Sequence, residues 1–160
     1  LVRWIGGAPI ARLAAETANR TGRPHEDLVL VTGRLTSGVA FNSVVDWLTP
    51  TKTRHTQVLG DEGMLVADTL TSDLTFYANG RTVSDWATSQ ALRGVTEGDA
   101  TRYALTRREP ILAELEAFAA YVSGVADGGV VTLAEGLETV LAAEAALDSA
   151  ARGETVAVPA

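Results

Sequence analysis

Cysteine is absent from these 160 residues. Its absence removes disulfide bridges, a thiol nucleophile and any thiolate metal site, and it fits the reducing cytoplasm expected for this chain. Histidine is nearly absent too, since His25 and His55 are the only imidazoles. Nucleophilic catalysis needs a base beside the nucleophile and a third group to orient it. His25 lies in a turn with Pro24, Glu26 and Asp27, and His55 alternates along a strand beside Arg54. Both read as partly exposed surface histidines, and no H-x-x-H or H-x-x-x-H spacing supports a metal site. Positive charge is short: 13 Lys and Arg against 20 Asp and Glu leave a net charge of −7. The basic residues are scattered, whereas nucleic-acid phosphates demand a basic stripe, so nucleic acid is excluded as a partner. No apolar run approaches the ~20 residues of a membrane-spanning helix, so no membrane crossing is expected.

Phosphate cradles are missing as well. No G-x-G-x-x-G stands between a strand and a helix, so no dinucleotide-binding loop is expected in the chain. Gly60-Asp61-Glu62-Gly63 places two carboxylates where an anion would sit, and a strand follows it rather than a helix N-terminus. The pairs Glu114/Glu116 and Glu135/Glu138 read as solvated charge on helices. What remains is an ordinary globular composition, 46% hydrophobic and 21% charged, enough for one core and a single domain over 1–160.

The first residues read as the last turn of an amphipathic helix, with Leu1, Trp4 and Ile5 on one stripe and Gly6-Gly7 as its stop. No N-cap precedes that turn, so the expectation is that residues upstream have been removed. Strands follow at period two. Ile10–Thr17 and Leu28–Leu35 are separated by a turn-rich stretch, and Thr36-Ser37-Gly38 joins 28–35 to 39–48 as a hairpin. Segments 54–59 and 64–69 flank the Gly60–Gly63 turn. A further strand, 73–78, ends in Asn79-Gly80, a strong hairpin signal. Residues 84–99 read as irregular, and 101–105 as one more strand.

The last third is helical. Pro110 suits a first helical position, and Ile111, Leu115, Phe118 and Val122 follow at helical spacing. Asp127-Gly128-Gly129 breaks that helix. Thr132 to Glu135 is a capping box, and Leu133, Leu137, Val140, Leu141 and Leu147 form the next apolar stripe. Gly153 ends it, and Thr155–Val158 can add a short strand. Strands first and helices after predict an α+β fold: a mostly antiparallel, open-faced sheet with helices packed on one face.

Three blocks taken in order resemble one family. They are Leu1–Ile10, then Trp47-Leu48-Thr49-Pro50-Thr51-Lys52-Thr53-Arg54 with Val58–Asp68 and Asp73–Gly80, then Arg108–Phe118 with the 132–153 helix and Thr155–Val158. The set resembles the C-terminal domain of Gfo/Idh/MocA oxidoreductases, relatives of glucose–fructose oxidoreductase and inositol dehydrogenase. The resemblance implies a dihydrodipicolinate reductase-like sheet domain, a missing N-terminal Rossmann domain that binds NAD or NADP, and a sugar, nucleotide-sugar or polyol substrate. The family's lysine belongs to the missing half and its histidine motif lies before Leu1. No residue here takes either catalytic role, neither His25 nor His55 matches, and the chain alone is expected to hold no cofactor and be inactive. A free-standing α+β ligand-binding or interaction module is the alternative.

Within the domain, Trp47, Lys52 and Arg54 flank the Pro50 corner between two strands. A sugar can stack on the indole there and an anionic group can pair with the cations. The competing reading makes Trp47 core, packed with Val45 and Phe41, with Lys52 and Arg54 solvated. Tyr103 and Arg107 form a second candidate pair. Apolar residues on both faces of the strands (Phe41, Val45 and Trp47 on one, Ala40, Val44 and Leu48 on the other) lead us to expect a homo-oligomer joined through the sheet.

Overall fold

The computed structural model describes residues 1–80, 97–125 and 129–159. Elements run α1 (Val2–Gly6), β1 (Ile10–Ala18), β2 (Leu28–Leu35), β3 (Ala40–Asp46), β4 (His55–Gly60), β5 (Gly63–Asp68), β6 (Asp73–Asn79) and β7 (Glu97–Tyr103). Then come α2 (Pro110–Val122), α3 (Leu133–Arg152) and β8 (Val156–Ala157). The chain forms two compact units, Leu1–Pro50 with Ala117–Ala160, and Thr51–Glu116. The α+β class and antiparallel pairing are as expected. The sheet, however, is divided into two of four strands each, in the orders β3-β2-β1-β8 and β4-β5-β6-β7.

In the first unit, Leu13 stands opposite Gly33 and Gly33 opposite Phe41, while Ala15 stands opposite Val31. Side chains directly opposite share a face, so Leu13, Ala15, Val31 and Phe41 line one side of the sheet. Helix α3 covers that side through Ala145 and Ala146, and Leu13 is only 2% exposed. This corrects the leucine stripe expected on α3. Leu133, Leu137, Val140 and Leu147 point outward, Leu137 being 59% exposed, while Ala145, Ala146 and Ser149 are the buried positions. Small side chains let the helix approach the sheet closely, and both stripes recur at helical spacing.

Ser149 does more than fill space. Its Oγ accepts the amide of Ala15 at 2.9 Å and donates to the carbonyl of Glu154 at 2.6 Å. Strand β8 pairs β1 only at Arg12 and Leu13, so Ala15 lies past the end of that ladder. The serine takes over where the ladder stops.

The amino-terminal turn is also tied to α3. Arg3 donates through Nη1 to the Glu135 carbonyl at 3.1 Å and pairs with the Glu138 carboxylate. Glu135 completes the expected capping box, its Oε2 accepting the Thr132 amide at 2.8 Å while Thr132 Oγ1 accepts the Glu135 amide at 3.3 Å. Neither carboxylate is therefore merely solvated, as sequence reading expected. Gly7 ends α1 at φ 64°, and a Cβ on Gly6 would lie 2.1 Å from Leu35 Cδ1, so that corner admits no side chain.

Residues 19–27, between β1 and β2, close on one buried carboxylate. Asp27, 1% exposed, accepts the amides of Arg20 and Thr21, at 2.9 and 2.7 Å to Oδ2, and the Thr21 hydroxyl at 2.8 Å. Burial pushes its pKa up, but these donors outweigh burial and hold it below the ordinary aspartate value. A depressed carboxyl contributes stability that is complete above the unfolded pKa and lost as pH falls through the folded one. Thermal midpoints should stay level above about pH 5 and drop below about pH 4. Asp27→Asn should lower the midpoint at neutral pH and flatten that acid limb. An acid limb of unchanged steepness would show that Asp27 does not drive it.

Strand β3 ends at Asp46, short of the Leu48 expected. The Asp46 carboxylate turns back to accept the amides of Leu48 at 2.8 Å and Thr49 at 2.6 Å, which breaks the extended run. In the second unit β4 and β5 form the hairpin expected around Gly60–Gly63. The strand beside β6 is β7, whose Glu97 faces Asn79, and residues 81–96 lie outside those described. The irregular stretch expected over 84–99 thus falls there, apart from 97–99, which are strand. Asp127 and Gly128 of the expected helix break also lie outside. Helix α2 has the expected bounds and fully buries none of its residues, while α3 packs on the first sheet through Ala145 and Ala146.

Candidate functional site

Polar chemistry collects at one end of the second sheet, where β4 begins, β5 turns into β6, and β7 ends. The register sets Asp68 opposite both His55 and Asp73, and Leu74 opposite Tyr103. His55 Nε2 lies 3.1 Å from Asp68 Oδ2, at an exposed position. Asp68 Oδ1 accepts the amides of Leu70 at 2.8 Å and Thr71 at 3.3 Å, fixing the turn. The Leu70 amide above all, with help from Thr71 and His55 and against partial burial, holds the Asp68 carboxyl below the usual range.

Next along the edge is an ion pair. Arg102 donates through Nε and Nη2 to Asp73 Oδ1, the Nε bond measuring 3.1 Å. This guanidinium lowers the Asp73 pKa, and in return Asp73 raises that of Arg102. Arg107 reaches the same turn from the loop after β7, donating through Nη2 to the Thr71 carbonyl. Its charge also favours the ionised form of Asp73. Ser72, at the apex, holds φ 57°, the only positive φ at a non-glycine position among the described residues. Together Ser72, Asp73, Arg102, Tyr103 and Arg107 line a cavity of about 380 Å³.

The sequence candidates divide between the two units. Trp47 lies just beyond β3 in the first unit and is 76% exposed, with the Arg23 guanidinium 5.9 Å above its ring. The reading of Trp47 as core is therefore corrected, because β3 has already turned at Asp46 and carries the indole out of the packed face. Lys52 and Arg54 belong to the second unit, exposed in the segment entering β4, and the Arg54 carbonyl accepts the Thr69 amide at 3.2 Å. Tyr103 closes β7 at the same end. Arg54 and Tyr103 nonetheless sit on opposite edges of the four-stranded sheet, three strand spacings or about 14 Å apart. The structure does bring Tyr103 and Arg107 together, around one cavity.

Sequence reading missed Asp73 and Arg102. They are 29 residues apart and meet only through the β6–β7 register, for which no local motif stands. Asp27 was equally hidden, as one more acidic residue in a turn. The first unit has a second cavity, about 420 Å³ and largely apolar, lined in part by Ala14, Leu30, Val44 and Gly153. Among the described residues no three His, Cys, Asp or Glu side chains gather as a metal site. No described helix is long and apolar enough to cross a membrane, which says nothing of β-barrels.

The NAD or NADP implied by the family resemblance can be tested against the topology. A dinucleotide needs a glycine loop between a parallel strand and a helix N-terminus. Every strand pairing among the described residues is antiparallel, and no strand–helix–strand crossover lies within either sheet. The described residues do not fit the group.

No protein-family model matches the sequence, and no curated protein matches it. Solved structures do. An oxidoreductase domain protein from Kribbella flavida superposes with a TM-score of 0.77 at 14% identity, over 99% of this chain and 47% of that one. An aldose–aldose oxidoreductase from Caulobacter crescentus, complexed with glycerol, gives 0.70 at 18% identity, over 98% of this chain and 43% of that one. An oxidoreductase from Agrobacterium radiobacter, in complex with NAD+, L-tartaric acid and magnesium, gives 0.66 at 22%, over 98% and 45%. This chain thus spans less than half the length of these neighbours.

Proposed function

Starting from a chain with the fold of the C-terminal domain of Gfo/Idh/MocA-type oxidoreductases, we propose that it is the substrate-binding and oligomerisation part of an NAD(P)-dependent oxidoreductase acting on a sugar, nucleotide sugar or polyol. One observation carries this reading: the likeness runs along nearly all of this chain while occupying under half of each neighbour. The complement is a separate Rossmann domain, which would hold NAD or NADP and supply the lysine and histidine of the chemistry. The chain by itself is then inactive, and the cytoplasm is its compartment.

In this reading Lys52 and Arg54, exposed in the segment entering β4, contribute to the substrate wall from the second unit. These exposed cations offer charge-assisted hydrogen bonds to an anionic group, and the exposed Trp47 indole is a stacking face of the first unit by itself. The second sheet also presents Val58, Leu65, Phe76 and Leu74 on one side by register. A two-fold mate laid on such a side would bury it, giving a homodimer.

The deciding experiment reads the gene upstream of the Leu1 codon and assays the complete enzyme. A strand–glycine loop–helix followed by Glu-Lys-Pro and Asp-x-x-x-His is the expected result. In that enzyme Arg54→Ala should lower kcat/KM by roughly 10–100-fold, the loss of one charge-assisted contact. A reading frame without a nucleotide domain would favour a free-standing ligand-binding module. Unchanged kinetics would remove Arg54 from the substrate wall.

A further inference from the structure

In a chain of net charge −7, the cavity at the β6–β7 end is a local exception. Its lining holds two guanidiniums, Arg102 and Arg107, against one carboxylate, Asp73. Asp68, across the ladder from Asp73, is occupied by the amides of Leu70 and Thr71 and by His55. One positive charge is thus left over at the cavity. Both arginines are held in place, one by Asp73 and one by the Thr71 carbonyl, so neither needs reordering to receive a ligand. Nη1 of Arg102 and both Nε and Nη1 of Arg107 donate to no protein acceptor among the described residues. Ser72 and Tyr103 also line it, beside Thr71, Ala104 and Leu105, and a hydroxyl both donates and accepts.

We propose that this cavity is a binding site for a small hydroxylated oxyanion, a carboxylate or phosphate seated between Arg102 and Arg107 with its hydroxyls toward Ser72, Tyr103 and Asp73. Guanidinium forks match the planar or tetrahedral oxygens of such groups, and Asp73 accepts from an alcohol while discouraging a second negative charge. A volume of about 380 Å³ holds a ligand of a few carbons. The site stands on the second unit alone and needs no nucleotide domain, so it can fail or hold independently of the oxidoreductase reading.

Calorimetric titration of the 160-residue chain with inorganic phosphate, with glycerate and with neutral glycerol tests it. Phosphate or glycerate should bind saturably with a Kd of about 1 mM, and the tighter of the two identifies the anion. Arg107→Gln should weaken that binding about tenfold or more, and Arg34→Gln, on β2 of the first unit, should leave it unchanged. Circular dichroism of each variant guards against unfolding, and Tyr103→Phe gives a second, gentler variant with a measurable loss. Absence of saturation by both anions, equal binding of glycerol, or an equal loss in Arg34→Gln would overturn the proposal.

Discussion

Leu13→Ala should cost the first unit about 2–5 kcal/mol, a large part of the stability of an ordinary domain. Leu13 is 2% exposed and sits at the centre of the small cluster formed with Ala15, Ala145 and Ala146. Ile10, Val31, Phe41, Val156 and Val158 pack against that cluster. How far these side chains relax into the gap sets where in that range the cost falls. The matching substitution on the other stripe, Leu137→Ser, should change stability by no more than about 0.5 kcal/mol, because that side chain already faces solvent. Urea unfolding of both variants checks the pair. A larger loss for Leu137→Ser than for Leu13→Ala would show that α3 is turned the other way.

Ser149→Ala should cost about 1–3 kcal/mol despite removing a single oxygen. The hydroxyl is buried and makes two bonds, one from the Ala15 amide and one to the Glu154 carbonyl. Deleting it strands both backbone groups away from water. The loss should appear as a lower midpoint in urea at an unchanged slope, and Ser149→Thr should not be neutral, since its extra methyl enters a packed site. A midpoint within error of the parent would mean that water replaces the hydroxyl.

The strands were legible because half-buried ladders leave a period of two in the side chains, and β2 has the bounds that pattern implies. The capping box was legible because its two reciprocal bonds join residues three apart. The facing of α3 was not. Leu133, Leu137 and Val140 and the small residues at 142, 145, 146 and 149 both recur at helical spacing, and the larger hydrophobes are the natural choice for a core. The approach distance of helix to sheet decides the matter, and that distance belongs to the tertiary structure. For the site, Tyr103 and Arg107 could be paired because they stand four positions apart in the sequence. Asp73 and Arg102 meet only once a register is set between distant strands. Trp47 was misplaced by one possible reading because period two was carried past Asp46, where the carboxylate ends the strand.

The interleaving of the two units has a kinetic consequence. The hairpins of the second unit join segments close in sequence, as in β4 and β5, which meet across Gly60 and Gly63. The first unit is closed by β8 on β1 and by Ser149 on Ala15, the latter pair 134 residues apart. Closing so long a loop carries a high entropic cost before any contact rewards it, and such contacts slow folding. During synthesis β1, β2 and β3 emerge early and must wait, with the face around Leu13 uncovered, until α3 leaves the ribosome. The inserted unit can complete its β4–β5 hairpin in that interval. The interval before α3 emerges is thus when this chain is most open to aggregation or to a chaperone.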